Sequence, residues 1–120
     1  MSEEAVFDTI FYDNLTSITK HNKFYRRVVS TTPTMQLVLM SLKPNTEIGI
    51  EIHPYNTQFI KIEQGSGTAI INNIVYDLEE GDAIIIPLNT HHNIINNSNK
   101  PLKLYPIYSP PHHVYNKIEK

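Results

Sequence analysis

The sequence predicts a single all-β domain built as a sandwich or barrel, and three observations support this fold class. The chain has 120 residues, a length that suits one hydrophobic core. It consists of short runs rich in β-branched and aromatic residues, with turn residues between them. Hydrophobic residues make up 40% and charged residues 18%, as in globular chains. We therefore expect one domain over residues 1–120, with its core at about 24–110, an N-terminal extension and a short C-terminal tail.

One helical segment and ten strands are predicted in order along the chain. The helix covers residues 14–21, with Asn14 or Thr16 as its N-cap. Asn72-Asn73 predicts a two-residue hairpin because Asn tolerates positive φ, and Pro87 ends a strand because it lacks an N–H. The predicted strands are 6–12, 24–30, 35–42, 47–53, 58–63, 68–71, 74–78, 83–86, 92–96 and 102–108.

The two-residue period of a strand predicts which side chains point inward. Gln58 shares a face with Ile60 and Ile62, so we expect Gln58 to face the interior. Strand 35–42 is apolar on both faces, and strand 47–53 has one face made of isoleucines. This pattern predicts a strand pair covered by the barrel interior on one side and by a partner subunit on the other.

Composition excludes several functional classes. The chain has no cysteine, so it has no disulfide, thiolate nucleophile or Cys-type zinc site. A formal charge of −2 does not favour nucleic acid. The acidic N-terminus is unlike a signal peptide, and no apolar run reaches membrane-spanning length. We expect a cytoplasmic protein that binds neither nucleic acid nor membrane.

One group of spaced residues consists of His53, Gln58 and Gly65, and a second consists of Gly81, Pro87, His92 and Asn96. Their spacings resemble the two motifs of the cupin superfamily. The second motif consists of glycine, five residues, proline, one residue, glycine, two residues, histidine, three residues and asparagine. This chain matches four of its five fixed positions. Asn89 stands in place of its second glycine. The four matching residues are Gly81, Pro87, His92 and Asn96.

The first motif is matched in its second half. It contains His-x-His, then a glutamate, six residues and a glycine. Here His53 occupies the first histidine position, and six residues lie between Gln58 and Gly65. Over residues 14–113 the chain resembles small bacterial cupins of the mannose-6-phosphate isomerase-like group, in segments such as Phe24-Tyr25-Arg26-Arg27-Val28 and 102–111.

The resemblance implies a double-stranded β-helix (cupin/jelly-roll) barrel, a homodimer and a metal site of three imidazoles and one carboxylate. Such ligands suit divalent Zn, Fe, Mn or Ni. Carried over by position, the metal ligands are His53, Gln58 and His92, and Tyr55 stands where the second histidine is expected. The set has thus lost an imidazole and a negative charge.

Further candidates line the predicted cavity. Glu51 shares a strand face with His53 and is expected to restore the missing carboxylate, and Asn96 and Tyr55 complete the candidates. The alternative is that His53 and Gln58 form a hydrogen-bonded polar pair without metal.

Other charged and imidazole side chains are expected outside the cavity. His91 is expected at the surface, because neighbouring strand residues point to opposite faces. His112-His113 is interpreted as part of a solvated segment, with contact at the cavity rim as the alternative. Arg26-Arg27 is expected to form a surface ion pair, with binding of an anionic group as the alternative.

Three functions follow from these residues. The first is a cupin with a His-centred cavity that binds a divalent metal and a small polar or sugar-like molecule. The second is a metal-dependent enzyme, isomerase-like or dioxygenase-like. The third is a structural or interaction domain with a degenerate site, since a shared fold does not decide between these functions.

Overall fold

Two antiparallel sheets pack against each other in the computed structural model, which describes residues 7–120. The larger sheet has the strand order β10-β1-β2-β9-β4-β7 and the smaller one β3-β8-β5-β6. This arrangement is that of a double-stranded β-helix, as predicted. The elements are α1 (Leu15–His21), β1 (Arg26–Thr31), β2 (Gln36–Leu42), β3 (Thr46–Glu47), β4 (Thr57–Gln64), β5 (Gly67–Ile71), β6 (Ile74–Leu78), β7 (Ala83–Ile86), β8 (His92–Asn96), β9 (Leu102–Ser109) and β10 (Ile118–Glu119).

The main hydrophobic core lies between the two sheets. Its buried members come from both sheets, so their inward faces share one core. The inward face of β4 is the one predicted: Gln58 is 3% exposed, and Ile60 and Ile62 are fully buried. The core residues are Val28, Val38, Met40, Leu42, Ile60, Ile62, Ala69, Leu78, Ile86, Ile94, Leu102, Leu104 and Tyr108.

Helix α1 covers the outer face of the larger sheet. Asn14 caps it, because the Asn14 side chain accepts a hydrogen bond from the Ser17 N–H at 2.8 Å. Leu15 and Ile18 pack on a second cluster that includes Leu39 of β2. The cover predicted to come from a partner subunit is therefore supplied, over β2, by the chain's own helix. No helix among residues 7–120 is long and apolar enough to cross a membrane.

Asparagines in the left-handed region form two of the turns. Asn72 and Asn73 have φ of 49° and 66° and join β5 to β6, which confirms the predicted hairpin. Asn89 has φ of 57°. The glycine position of the second motif therefore needs positive φ, which asparagine adopts more readily than most residues do. The replacement keeps the turn that leads into β8.

Two predicted strands differ from the structure. Residues 7–12 form no strand, because Ile10 and Tyr12 are 85% and 96% exposed and do not pack on a sheet; Val6 lies outside the described residues. Strand 47–53 is mostly absent, because Gly49 has φ of 102° and interrupts the extended chain. Only β3 and a single bridge at Glu51 are left. A further short strand, β10, was not predicted and pairs with β1.

Candidate metal centre

Glu51, His53 and His92 converge although the second and third lie 39 positions apart in the chain. Glu51 and His92 face each other across an antiparallel bridge, and their main chains exchange hydrogen bonds of 2.8 and 2.9 Å. Glu51 Oε1 lies 3.4 Å from His53 Nε2 and 3.8 Å from His92 Nε2. The candidate ligand atoms of the three residues all lie within 4.8 Å of one another. One carboxylate and two imidazoles thus point at a common centre.

The two imidazoles present unused nitrogen atoms to this centre. His53 is 5% exposed and His92 is 4% exposed. The Nε2 atoms of both rings are buried and make no hydrogen bond, because the contacts to Glu51 have ion-pair distances without hydrogen-bond geometry. A buried polar atom without a partner costs free energy, and a coordinated cation would satisfy both nitrogens. The donor set therefore fits a divalent transition metal.

The main chain orients the His92 ring. His92 Nδ1 lies 2.8 Å from the Thr90 carbonyl oxygen, which is an acceptor only, so Nδ1 carries the proton and donates it. The Nε2 atom of neutral His92 is then left with its lone pair directed at the centre. A hydrogen bond from the second ring nitrogen to a carbonyl is the usual support of a metal-binding histidine.

Burial keeps the His53 imidazole neutral. Desolvation lowers its pKa below the ordinary 6.5, whereas the Glu51 carboxylate acts in the opposite direction. The neutral ring is the form that binds metal. The side chain of Glu51 is one-third exposed, so the centre is open to solvent on the side of its carboxylate.

Gln58 lies at the same end of the barrel. The register of the larger sheet places it opposite Tyr108, whose ring centroid is 5.8 Å from that of His53. Gln58 Oε1 is buried and has no hydrogen-bond partner. The carboxylate near the imidazoles belongs to Glu51, and Gln58, whose amide oxygen is unpaired, stays a predicted ligand.

Two other cavity candidates are placed differently from the prediction. Tyr55 is 79% exposed, in the loop before β4, so its phenol points away from the barrel interior. Asn96 is fully buried, but its amide is already used. Its Nδ2 donates to the carbonyls of Leu42 and Lys100 at 2.9 and 2.8 Å, and its Oδ1 accepts from Ser98. Asn96 therefore ties a loop to β2 and does not line the site.

The C-terminal segment reaches the site, so the alternative of contact at the cavity rim applies to His112-His113, while His112 is also exposed to solvent. The His112 ring centroid is 4.5 Å from that of His53, and the His113 ring lies 5.0 Å from Tyr108. Burial lowers the pKa of His112. The pKa of His113 is lowered to about 3, mainly by burial and to a smaller extent by the charge of Arg26. Local sequence patterns do not indicate that these two histidines lie at the rim of the site.

Arg26 is buried rather than at the surface. Its residue exposure is 8%, its guanidinium pairs with Glu119 of β10, and it lies 5.0 Å from the ring centre of Tyr25. This pair closes the larger sheet at the C-terminal end of the chain. The predicted ion pair is thus formed between a buried guanidinium and a carboxylate whose side chain is 36% exposed. His91 is exposed, as predicted.

Sequence relatives support the family assignment. A family profile for the cupin domain matches residues 38–108, more than half of the chain. Uncharacterized protein L612 of Acanthamoeba polyphaga mimivirus is 46% identical over 114 residues, which cover 92% of this chain and 71% of that protein. Uncharacterized protein YrkC of Bacillus subtilis is 39% identical, with coverage of 92% and 62%. The chain thus spans about two thirds of these longer relatives.

Solved structures agree on the fold. A crystal structure from Bacillus halodurans superposes with a TM-score of 0.91 at 36% identity, covering 95% of this chain and 93% of that one. The structure of KdgF from Halomonas sp. gives a TM-score of 0.69 at 21% identity, with coverage of 72% and 78%, which supports the fold alone. From the sheet topology, the converging imidazoles and these matches, we conclude that the chain belongs to the cupin superfamily.

Proposed function

We propose that this cupin binds a divalent transition-metal ion through Glu51, His53 and His92, and that a small polar or sugar-like molecule binds beside the ion. The observation that carries the proposal is the pair of buried, unpaired Nε2 atoms facing one carboxylate. The alternative of a hydrogen-bonded pair of His53 and Gln58 does not account for these atoms, because His53 Nε2 and Gln58 Oε1 both lack a hydrogen-bond partner.

The residues around the centre have separate roles in this proposal. Glu51 supplies the negative charge that offsets the charge of the ion, and it reaches the centre from the solvent side. The Thr90 carbonyl holds His92 in its binding tautomer. Gln58 provides an amide oxygen for a hydroxyl of the bound molecule. The ion, when bound, would supply Lewis acidity toward an oxygen of that molecule.

Elemental analysis of untagged protein tests the metal proposal. We expect close to one equivalent of a divalent metal per chain after incubation with the ion and desalting. His53→Ala and His92→Ala should each abolish retention of the metal. His91→Ala is the matched control, because it removes the neighbouring but exposed imidazole. The proposal would be refuted if the wild-type protein retained no Zn, Fe, Mn, Ni or Co.

A second candidate function is favoured by the composition of the ligand set. Two imidazoles and one carboxylate with open positions form the set used by non-haem Fe(II) oxygenases. This dioxygenase-like function requires that Fe(II)-loaded protein consume oxygen with a co-substrate, and that His92→Ala abolish that consumption. Oxygen uptake equal to that of free Fe(II) would exclude it. The isomerase-like function and the mannose-6-phosphate isomerase-like group stay predictions.

We also propose that the protein is a homodimer that binds a small-molecule ligand. Light scattering coupled to size exclusion tests the dimer, which should have twice the mass of 13.8 kDa. A screen of sugars and sugar phosphates against metal-loaded protein tests the ligand class. A ligand of this class should raise the melting temperature of the wild type and leave that of His53→Ala unchanged.

A further inference from the structure

The C-terminal segment brings a further imidazole to the proposed metal centre. The rings of His92, His53, His112 and His113 form a continuous series, with centroid separations of 5.1, 4.5 and 4.6 Å. His112 meets His53 edge-on, with an interplanar angle of 76°. The two central members of the series therefore come from segments 59 residues apart in the chain.

A buried amide fixes the position of His112. Gln36 is fully buried, and its Oε1 accepts hydrogen bonds from the N–H groups of His112 and His113 at 3.1 and 2.8 Å. Its Nε2 donates to the His113 carbonyl at 2.8 Å and to Thr31 at 3.1 Å. Gln36 thus holds the main chain on both sides of the His112 side chain, so the segment is anchored at the rim of the site.

The three protein ligands leave room for another donor. A zinc ion with three protein ligands keeps a fourth position open, and ions that prefer higher coordination keep more. Tyr55 points to solvent and does not fill it. His112 is the imidazole that lies against His53 on the side of the C-terminal segment.

We propose that His112 is the fourth protein ligand of the metal ion. The inference rests on the proposed function. Its nitrogens do not belong to the group of ligand atoms within 4.8 Å of one another, so the ring must turn toward the ion as it binds. Such a rotation is fast for an exposed side chain, and His112 is exposed. The main-chain anchor at Gln36 stays in place during the rotation.

His113 provides the internal comparison. Its ring packs edge-on against Tyr108 and its Nε2 is buried away from solvent. Its main chain is held by the same Gln36 side chain as that of His112. A loss of metal affinity caused only by loosening of the segment should therefore appear in variants of either histidine, whereas loss of a ligand should appear in His112 variants alone.

The experiment measures Zn²⁺ affinity by competition with a chromophoric chelator, and the visible spectrum of the Co²⁺-loaded protein. His112→Phe keeps a ring against His53 without a donor nitrogen, and His112→Ala removes the ring. We expect Zn²⁺ affinity to fall at least 10- to 100-fold in both, the range seen when the support of a metal ligand is lost. The Co²⁺ absorption bands should shift, while His113→Phe and His91→Ala should keep wild-type affinity and spectrum.

The outcomes separate this inference from the proposed function. Wild-type protein that binds neither ion contradicts the proposed function itself. Normal binding with unchanged affinity and spectrum in both His112 variants overturns the inference and leaves the three-residue centre intact. Equal losses in His112→Phe and His113→Phe also overturn it, because they indicate a packing role. Melting curves of the metal-free variants, expected to match the wild type, show that the fold is kept.

Discussion

Glu51→Gln is the substitution that tests the candidate centre most directly. The change keeps the shape of the side chain and removes the charge that lies 3.4 and 3.8 Å from the two imidazole nitrogens. An amide oxygen is a weaker ligand than a carboxylate, so we expect affinity for the metal to fall about 100-fold. Because the ion binds the folded state, this loss should appear as a loss of stability.

Linkage gives the size of the effect. At a free metal concentration of 100 times the dissociation constant, binding stabilises the folded wild type by about 2.7 kcal/mol. A 100-fold weaker variant gains only about 0.4 kcal/mol at the same concentration, a difference of about 2.3 kcal/mol. At about 4 °C per kcal/mol, the melting temperatures should differ by roughly 9 °C. Without metal they should differ little, since the Glu51 side chain is 33% exposed and such contacts contribute about 1 kcal/mol or less.

Calorimetric melting with chelator and with saturating Zn²⁺ measures both quantities. Glu47→Gln is the matched control, because Glu47 is a nearby carboxylate that accepts a hydrogen bond from Asn93 and is not part of the close group. Its metal-induced shift should equal that of the wild type. An equal metal-induced shift in Glu51→Gln would refute the assignment of Glu51 as a ligand.

Three further predictions concern the scaffold and pH. Asn96→Ala should lower the free energy of unfolding by about 2–4 kcal/mol, because two carbonyls lose their donor. The metal stoichiometry should stay unchanged, and urea unfolding and elemental analysis measure the two effects. Lys103→Met should cost about 1–2 kcal/mol in the same assay, since the Lys103 ammonium donates to two carbonyls at the end of α1. Metal-free protein should lose stability as pH falls below about 6.5. In that range unfolded histidines take up protons, whereas folded His53 and His113, whose pKa values are lowered, do not. Urea midpoints measured at pH 7.5 and pH 5 check the sign, and equal midpoints would contradict it.

The fold could be predicted because each strand depends on local patterns. The hairpin at Asn72-Asn73, the end of β7 before Pro87 and the cap at Asn14 all follow from properties of single residues, and the structure has all three. The inward face of β4 followed from the strand period. These features need no knowledge of distant parts of the chain.

The failures share a dependence on distant partners. The isoleucines of 47–53 alternate as in a strand, but the positive φ of Gly49 and the single bridge to His92 decide the local structure. Asn96 matches a motif position, yet its amide bonds to Leu42, 54 residues away. The period of a strand predicts on which face of the sheet a side chain lies. It does not predict which distant residue that side chain contacts.

The candidate site was partly predictable for the same reason. His53 and His92 followed from motif spacing, and Glu51 from the face it shares with His53; the structure brings all three together. Tyr55 was wrong as a cavity residue, because the loop turns its side chain to solvent. His112 could not be placed, since the residue that positions it is a glutamine on β2.

The contact between Gln36 and the C-terminal segment engages peptide groups only. Any residue except proline at positions 112 and 113 offers the same N–H, so substitution there leaves the attachment unchanged. The side chains at positions 112 and 113, at the entrance of the barrel, can therefore vary without loosening the attachment of the C-terminal segment to Gln36. Among related chains that keep this glutamine, one scaffold could present different groups to the ion by exchanging a single side chain.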